Sequence, residues 1–136
     1  MGIKFKKKFE QNGWHLTSPL QMSVDYSLYR DYIQRSRGEF TVAKDQYVRL
    51  NTGWFSDRSA CYLAAGRPVI TQETGFTKNY GGKEGLLSFR TVDEIADAMK
   101  RINADYGKHS RGARAIAREL FEAEAVLKSV LDRAAI

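Results

Sequence analysis

The stretch Gly53 to Gly75, GWFSDRSACYLAAGRPVITQETG, places Ser-Asp-Arg-Ser ahead of a short run of small and apolar residues. Gly66 closes that run where a left-handed helix terminus belongs, and Pro68 cannot extend a helix, so Ser59–Ala65 is expected to be helical. The β-branched VITQ segment, Val69 to Gln72, then has the make-up of a strand, and Gly75 opens a second glycine loop. A helix passing directly into a strand is the repeating unit of an α/β layer.

The flanking segments extend the same pattern. EFTVA, Glu39 to Ala43, is expected to be a buried strand, and KDQYVRLNTGWF supplies a connection of about a dozen residues, longer than the roughly 2–6 usual between strand and helix. Downstream, the glycine-rich loop Glu73–Gly85 leads to a strand at LLSF. Thr91 with Glu94 three residues on forms a capping-box pattern that opens the helix VDEIADAMKRINADY. After Gly107 the chain is expected to be helical. Ala113, Ile116, Ala117, Leu120 and Phe121, then Val126, Leu127 and Val130, would cover a sheet face, with Lys108, Arg111, Arg114 and Arg118 on the solvated side.

Upstream, DYSLYRDYIQRSR (Asp25 to Arg37) has Tyr26, Tyr29, Tyr32 and Ile33 at helical spacing, which predicts an amphipathic helix with these side chains in the core, capped by Asp25 and stopped by Gly38. Trp14–Thr17 is expected to be extended and to end at Pro19, and residues 1–12 to be a basic, solvated or frayed leader centred on Lys4–Lys8. The domain proper would run from 13 to 136. The alternation predicts an α/β fold: a parallel-sheet, Rossmann-like layer with flanking helices. Ligands of such layers sit at the carboxyl ends of the strands, so the loops after Ala43 and after Gln72 are where a site is expected.

Composition bounds what that site could do. The 136 residues, 43% hydrophobic and 28% charged, suit one globular core. A net charge of +6 favours anionic partners: nucleic acid, an anionic membrane surface or a phosphorylated small molecule. Cys61 is the only cysteine, which excludes an intrachain disulfide and favours a reducing, cytoplasmic setting. The basic N-terminus is followed by polar Gln11, Asn12 and Gly13 rather than an apolar region, so secretion is not indicated. No apolar run approaches the roughly 20 residues of a membrane span.

Unpaired amides and a partial positive charge at a helix N-terminus make the segment from Ser56 to Ser59 a candidate phosphate site. Arg58 could add a charged fork and Ser56 and Ser59 hydroxyl donors, while the carboxylate of Asp57 would compete with an anion for the same field. Lys44, directly after a strand, could meet the same anion or be a plain surface lysine. Gly75 could bring backbone amides to a ligand or only permit a turn. His15 and His109 have no ligand cluster in sequence, so no metal is expected, and Cys61 is expected to pack inertly inside a buried helix. Dinucleotide and P-loop fingerprints and a nucleophile elbow are absent.

The order of elements, with GWFSDRSACYLAAGRPVITQETGF, LLSF and TVDEIADAM, resembles the C-terminal half of bacterial glycosyltransferases of the two-Rossmann-domain (GT-B) architecture, in particular the spore-protein-like glycosyltransferase family. The likeness spans roughly Trp14 to Arg133 and is most specific over Glu39 to Phe76. It implies a domain that binds a nucleoside-diphosphate sugar, with the diphosphate near Ser56, Asp57, Arg58 and Ser59, Thr74 and Gly75 in the following loop, and Lys44 as a further contact. It implies no cofactor. Many retaining members carry a pair of glutamates at the positions held here by Gly53 and Cys61, leaving Asp57 or Glu73 to supply a carboxylate.

The resemblance also implies that this chain corresponds to an incomplete donor half, with the acceptor-binding domain and catalytic base lying upstream and the chain alone having little or no turnover. Exposed apolar surface could then pair two copies into a homodimer. The functional expectation is a glycosyltransferase donor-binding domain. The alternative is a non-catalytic basic α/β module that contacts nucleic acid or an acidic protein.

Overall fold

The computed structural model describes residues 3–11, 13–80 and 82–134, and expectations that fall on Met1, Gly2, Asn12, Gly81, Ala135 and Ile136 lie outside the described residues. The chain divides into two compact units, Met1–Tyr32 and Ile33–Ile136. Among the described residues before Ile33, none is buried.

The first unit holds helices α1 (Ile3–Gln11) and α2 (Pro19–Ser23) and the start of α3 (Tyr26–Arg35). The leader, expected to be frayed, is helical, and Trp14 folds back on it edge-on to Phe9 with ring centroids 6.0 Å apart. Pro19 occupies the first turn of α2, where its missing N–H costs nothing. Asp25 caps α3 as expected, its carboxylate accepting from the Leu28 amide at 3.0 Å. The expected aromatic core of α3 is not formed: Tyr26 is 77% exposed and Tyr32 40%, and Ile33 is the residue of this helix that is buried.

The second unit is a mixed α/β layer around a three-stranded parallel sheet in the order β1 (Glu39–Thr41), β2 (Val69–Gln72), β3 (Leu86–Phe89). Glu39 pairs with Val69, and Val69 with Leu86. In the central strand β2, Val69, Ile70 and Thr71 are all buried because both of its faces are covered. On one face Ile70, Leu87 and Phe89 meet Ala98 and Ile102 of α7 (Val92–Ala104). Side chains alternate along a strand, so Val69 and Leu86 point to the opposite face, where α5 (Asp57–Ala64) and α8 (Tyr106–Phe121) pack on each other and on the sheet.

Between these elements lie the short helices α4 (Asp45–Arg49) and α6 (Thr77–Tyr80), which break up the two long loops, and α9 (Ala123–Ala134) follows α8. The capping box at Thr91 and Glu94 is present. At Gly66, φ is +71°, the left-handed terminus that α5 requires before Pro68 enters the sheet. Three core expectations are corrected. Val126, Leu127 and Val130 of α9 are 44%, 61% and 57% exposed, because no element covers that face among the described residues. Leu120 is only half-buried, at the end of α8. Cys61 is exposed, because α5 turns Ser59, Tyr62 and Leu63 inward instead.

Candidate functional site at the carboxyl edge of the sheet

Parallel pairing sends all three strands in one direction, so the loop after β1, the turn Glu73–Gly75 after β2 and Arg90 after β3 gather at one edge. The first two are latched together. The Gly53 amide donates to the Thr74 carbonyl at 2.7 Å, and the Thr74 hydroxyl donates to the Trp54 carbonyl at 2.6 Å. Nearer β1, the Ala43 amide donates to the Gln72 side chain at 3.2 Å. Gly75 has φ +94°, and a Cβ there would stand 2.6 Å from Asn51 Oδ1, so a side chain at this position would be strained and would crowd Asn51 of the loop after β1.

Aromatic packing stiffens the same edge. Tyr47 and Trp54 stack with centroids 5.0 Å apart and planes within 7°. Phe55 packs against Phe76, Tyr80 and Phe121 at 5.5, 5.4 and 5.8 Å, fixing the chain one residue before Ser56. These ring contacts tie the loop after β1 to α6 and α8.

The start of α5 is less open to an anion than its sequence implies. Ser56 is buried, and its hydroxyl lies 3.5 Å from Asp57 Oδ1, the outer limit of a hydrogen bond. That same Asp57 oxygen accepts from the Arg58 amide at 2.8 Å, occupying one of the amides at the helix start. Arg58 turns over β1: Nε donates to Glu39 Oε1 at 2.5 Å and Nη2 to the Thr41 hydroxyl at 2.7 Å. Ser59 is fully buried, and among the described residues its hydroxyl has no hydrogen-bond partner. Lys44 is exposed at the N-cap position of α4. Thr74 and Gly75 therefore come together with the residues just ahead of Ser56, whereas Arg58 is committed to the sheet and Lys44 stands on the surface.

Sequence reasoning did not single out Glu39 or Arg90, and it raised Glu73 only as a substitute carboxylate. Glu73 is buried at the very end of β2 and its Oε1 accepts from the Gly75 amide at 2.6 Å. The signal for both glutamates was available, since each is an acidic residue directly bordering an apolar strand segment, a position where burial demands a partner. The open groove beside β3 and α7, lined by Lys83, Glu94, Asp97 and Arg101, includes no residue of the loop after β1 or of the turn Glu73–Gly75. Among the described residues no group of three or more His, Cys, Asp or Glu could hold a metal ion, and no helix is long and apolar enough to cross a membrane. No protein-family model, curated protein or solved structure matches the chain at a significant level.

Proposed function

We propose that the unit Ile33–Ile136 is a Rossmann-like, donor-binding layer of a cytoplasmic glycosyltransferase of GT-B type, holding a nucleoside-diphosphate sugar at the carboxyl edge of its sheet. The observation that carries this reading is the latch of Gly53 and Trp54 to Thr74, which joins the loops after β1 and β2 into one rigid rim beside the start of α5. A rigid rim suits a ligand whose charge must be held still while it departs, because prearranged donors need no reorganisation as charge develops. The diphosphate is assigned to the start of α5 near Ser56, beside the Thr74–Gly75 turn, and the net charge of +6 assists its approach. Acceptor and catalytic base belong, in this reading, to a further domain.

Calorimetric titration of the chain with UDP-glucose, GDP-mannose and inorganic pyrophosphate tests the assignment. Saturable binding is expected, with amide chemical-shift changes centred on Asp57–Ser59 and Gly75. Absence of binding by all three at millimolar concentration would sink it.

The alternative of a basic module has one observation in its favour. Arg111, Arg114 and Arg118 are all exposed along α8 and, among the described residues, form no ion pair. Binding of random-sequence RNA that weakens steeply with salt, without any nucleotide-sugar binding, would select that function instead.

A further inference from the structure

The helix α9 carries an apolar stripe that its own chain leaves open. Val126, Leu127, Val130 and Leu131 recur at helical spacing and are 44%, 61%, 57% and 50% exposed, and no residue of the helix is buried. At about 100° per residue, Leu127 and Val130 lie along the middle of the stripe, with Ala123 and Ala134 in line at its ends and Val126 and Leu131 on its shoulders. Four adjoining aliphatic side chains on one helix face form a patch of the kind that marks an interaction surface, which scattered single residues do not.

Charge identifies what fits over it. Glu122 and Glu124 stand at the start of the helix, where the Val126 amide donates to the Glu122 carbonyl at 3.0 Å, and Arg133 lies in its last turn. By the same periodicity Glu124 and Lys128 flank the stripe on one side, Glu122 and Arg133 flank it on the other, and Asp132 falls on the back of the helix. Among the described residues, none of the four flanking side chains forms an ion pair within its own chain. A second α9 laid antiparallel, with a twofold axis between Lys128 and Ser129, sets Leu127 against Val130 of the second copy and Ala123 against its Ala134. The same reversal brings Arg133 toward Glu122 of the second copy and Lys128 toward its Glu124. A parallel pairing would instead set the two acidic first turns side by side. The face is thus self-complementary in one direction, which is what a closed twofold interface requires.

We infer that α9 is a homodimerisation element in which two copies of this chain pair through an antiparallel seam centred on Leu127 and Val130. The seam is about 18 Å long, at 1.5 Å per residue, and falls short of the roughly 800 Å² per partner of a standard interface. The dimer is therefore weak and concentration-dependent, with a dissociation constant on the order of 10–100 μM. The inference stands independently of donor binding.

Sedimentation equilibrium of the full chain and three variants, from about 1 to 500 μM, tests it. The unaltered chain is expected to pass from monomer to dimer. Leu127→Glu places a charge in the seam but alters a side chain already exposed in the monomer, so it should remain monomeric with its dilute thermal melt unchanged. Glu122→Arg sets like charges opposite each other and should weaken association by roughly 3- to 10-fold, and adding Arg133→Glu should restore it. A monomer throughout the range overturns the inference and leaves the stripe to a different chain. A dimer that survives Leu127→Glu, or a charge swap that restores nothing, overturns it as well. If Leu127→Glu does not fold, spin labels on Lys128→Cys and Ala134→Cys, each in a Cys61→Ser background, decide. The distance between the two copies' labels is expected to be shorter at 128 than at 134, and equal distances overturn the antiparallel seam.

Discussion

Arg58 illustrates how a residue suited to one task in sequence is committed to another in the fold. Glu39 opens β1 and pairs with Arg58; its side chain is 5% exposed, and among the described residues its Oε2 has no hydrogen-bond partner even with Arg58 in place. Replacing Arg58 with alanine would leave both carboxylate oxygens buried and unpaired. Breaking a fully buried pair costs about 3–5 kcal/mol, but the Arg58 side chain is 48% exposed, so about 1–3 kcal/mol is the expected loss. Arg58→Ala should therefore lower the melting temperature of the free protein, and Glu39→Gln combined with Arg58→Met should recover part of the loss. A melt unchanged by Arg58→Ala would return the guanidinium to a purely ligand-binding role.

Among the elements, β2, β3 and the Thr91 cap were legible to the residue, because a strand buried on both faces and a reciprocal cap leave unambiguous local patterns. The failures share a cause. Periodicity says that α3 and α9 have an apolar face, but whether anything covers it is a tertiary fact, and Tyr26, Val126 and Leu127 remain exposed. α5 begins at Asp57, two residues before the expected Ser59, and the commitment of Arg58 to Glu39 links residues 19 positions apart and has no local signature. The entry of β3 depends on a similarly hidden cluster. The Gly85 amide donates to buried His109 Nδ1 at 3.1 Å, and Glu84 pairs with Lys108 at 2.7 Å. His109 Nδ1, which accepts from that amide, also lies 3.4 Å from Glu84 Oε2.

The hydrogen bond from Lys108, reinforced by its charge, holds the Glu84 carboxyl below the usual carboxylate range, against an opposing effect of desolvation. A depressed carboxyl stabilises the fold above its unfolded-state pKa, and that contribution disappears as pH falls through the folded-state value. Lys108→Met should move the Glu84 titration upward and flatten this part of the acid limb. A carbon-detected carboxyl titration checks it, and a midpoint that does not move would show that Lys108 is not the cause.

For the molecule entire, the distribution of burial defines what must be kept. Among the described residues, every buried hydrophobic side chain lies between Ile33 and Ala117. Ile33 is 4% exposed and is carried by α3, whose first turn depends on Asp25 accepting from the Leu28 amide. A chain shortened to begin at Asp25 keeps both the cap and the buried isoleucine. It should retain a single cooperative thermal transition, displaced by no more than about 4–8 °C, the shift that 1 kcal/mol produces in a domain of this order of size. Ile33→Ala in the intact chain removes a buried side chain and should cost about 2–5 kcal/mol, a larger displacement than the whole deletion. Circular dichroism melts of the two proteins order these effects. If the deletion proved the more damaging, or abolished cooperativity, the first unit would have to be counted as part of the folding domain, and the boundary after Tyr32 would separate segments that cannot stand apart.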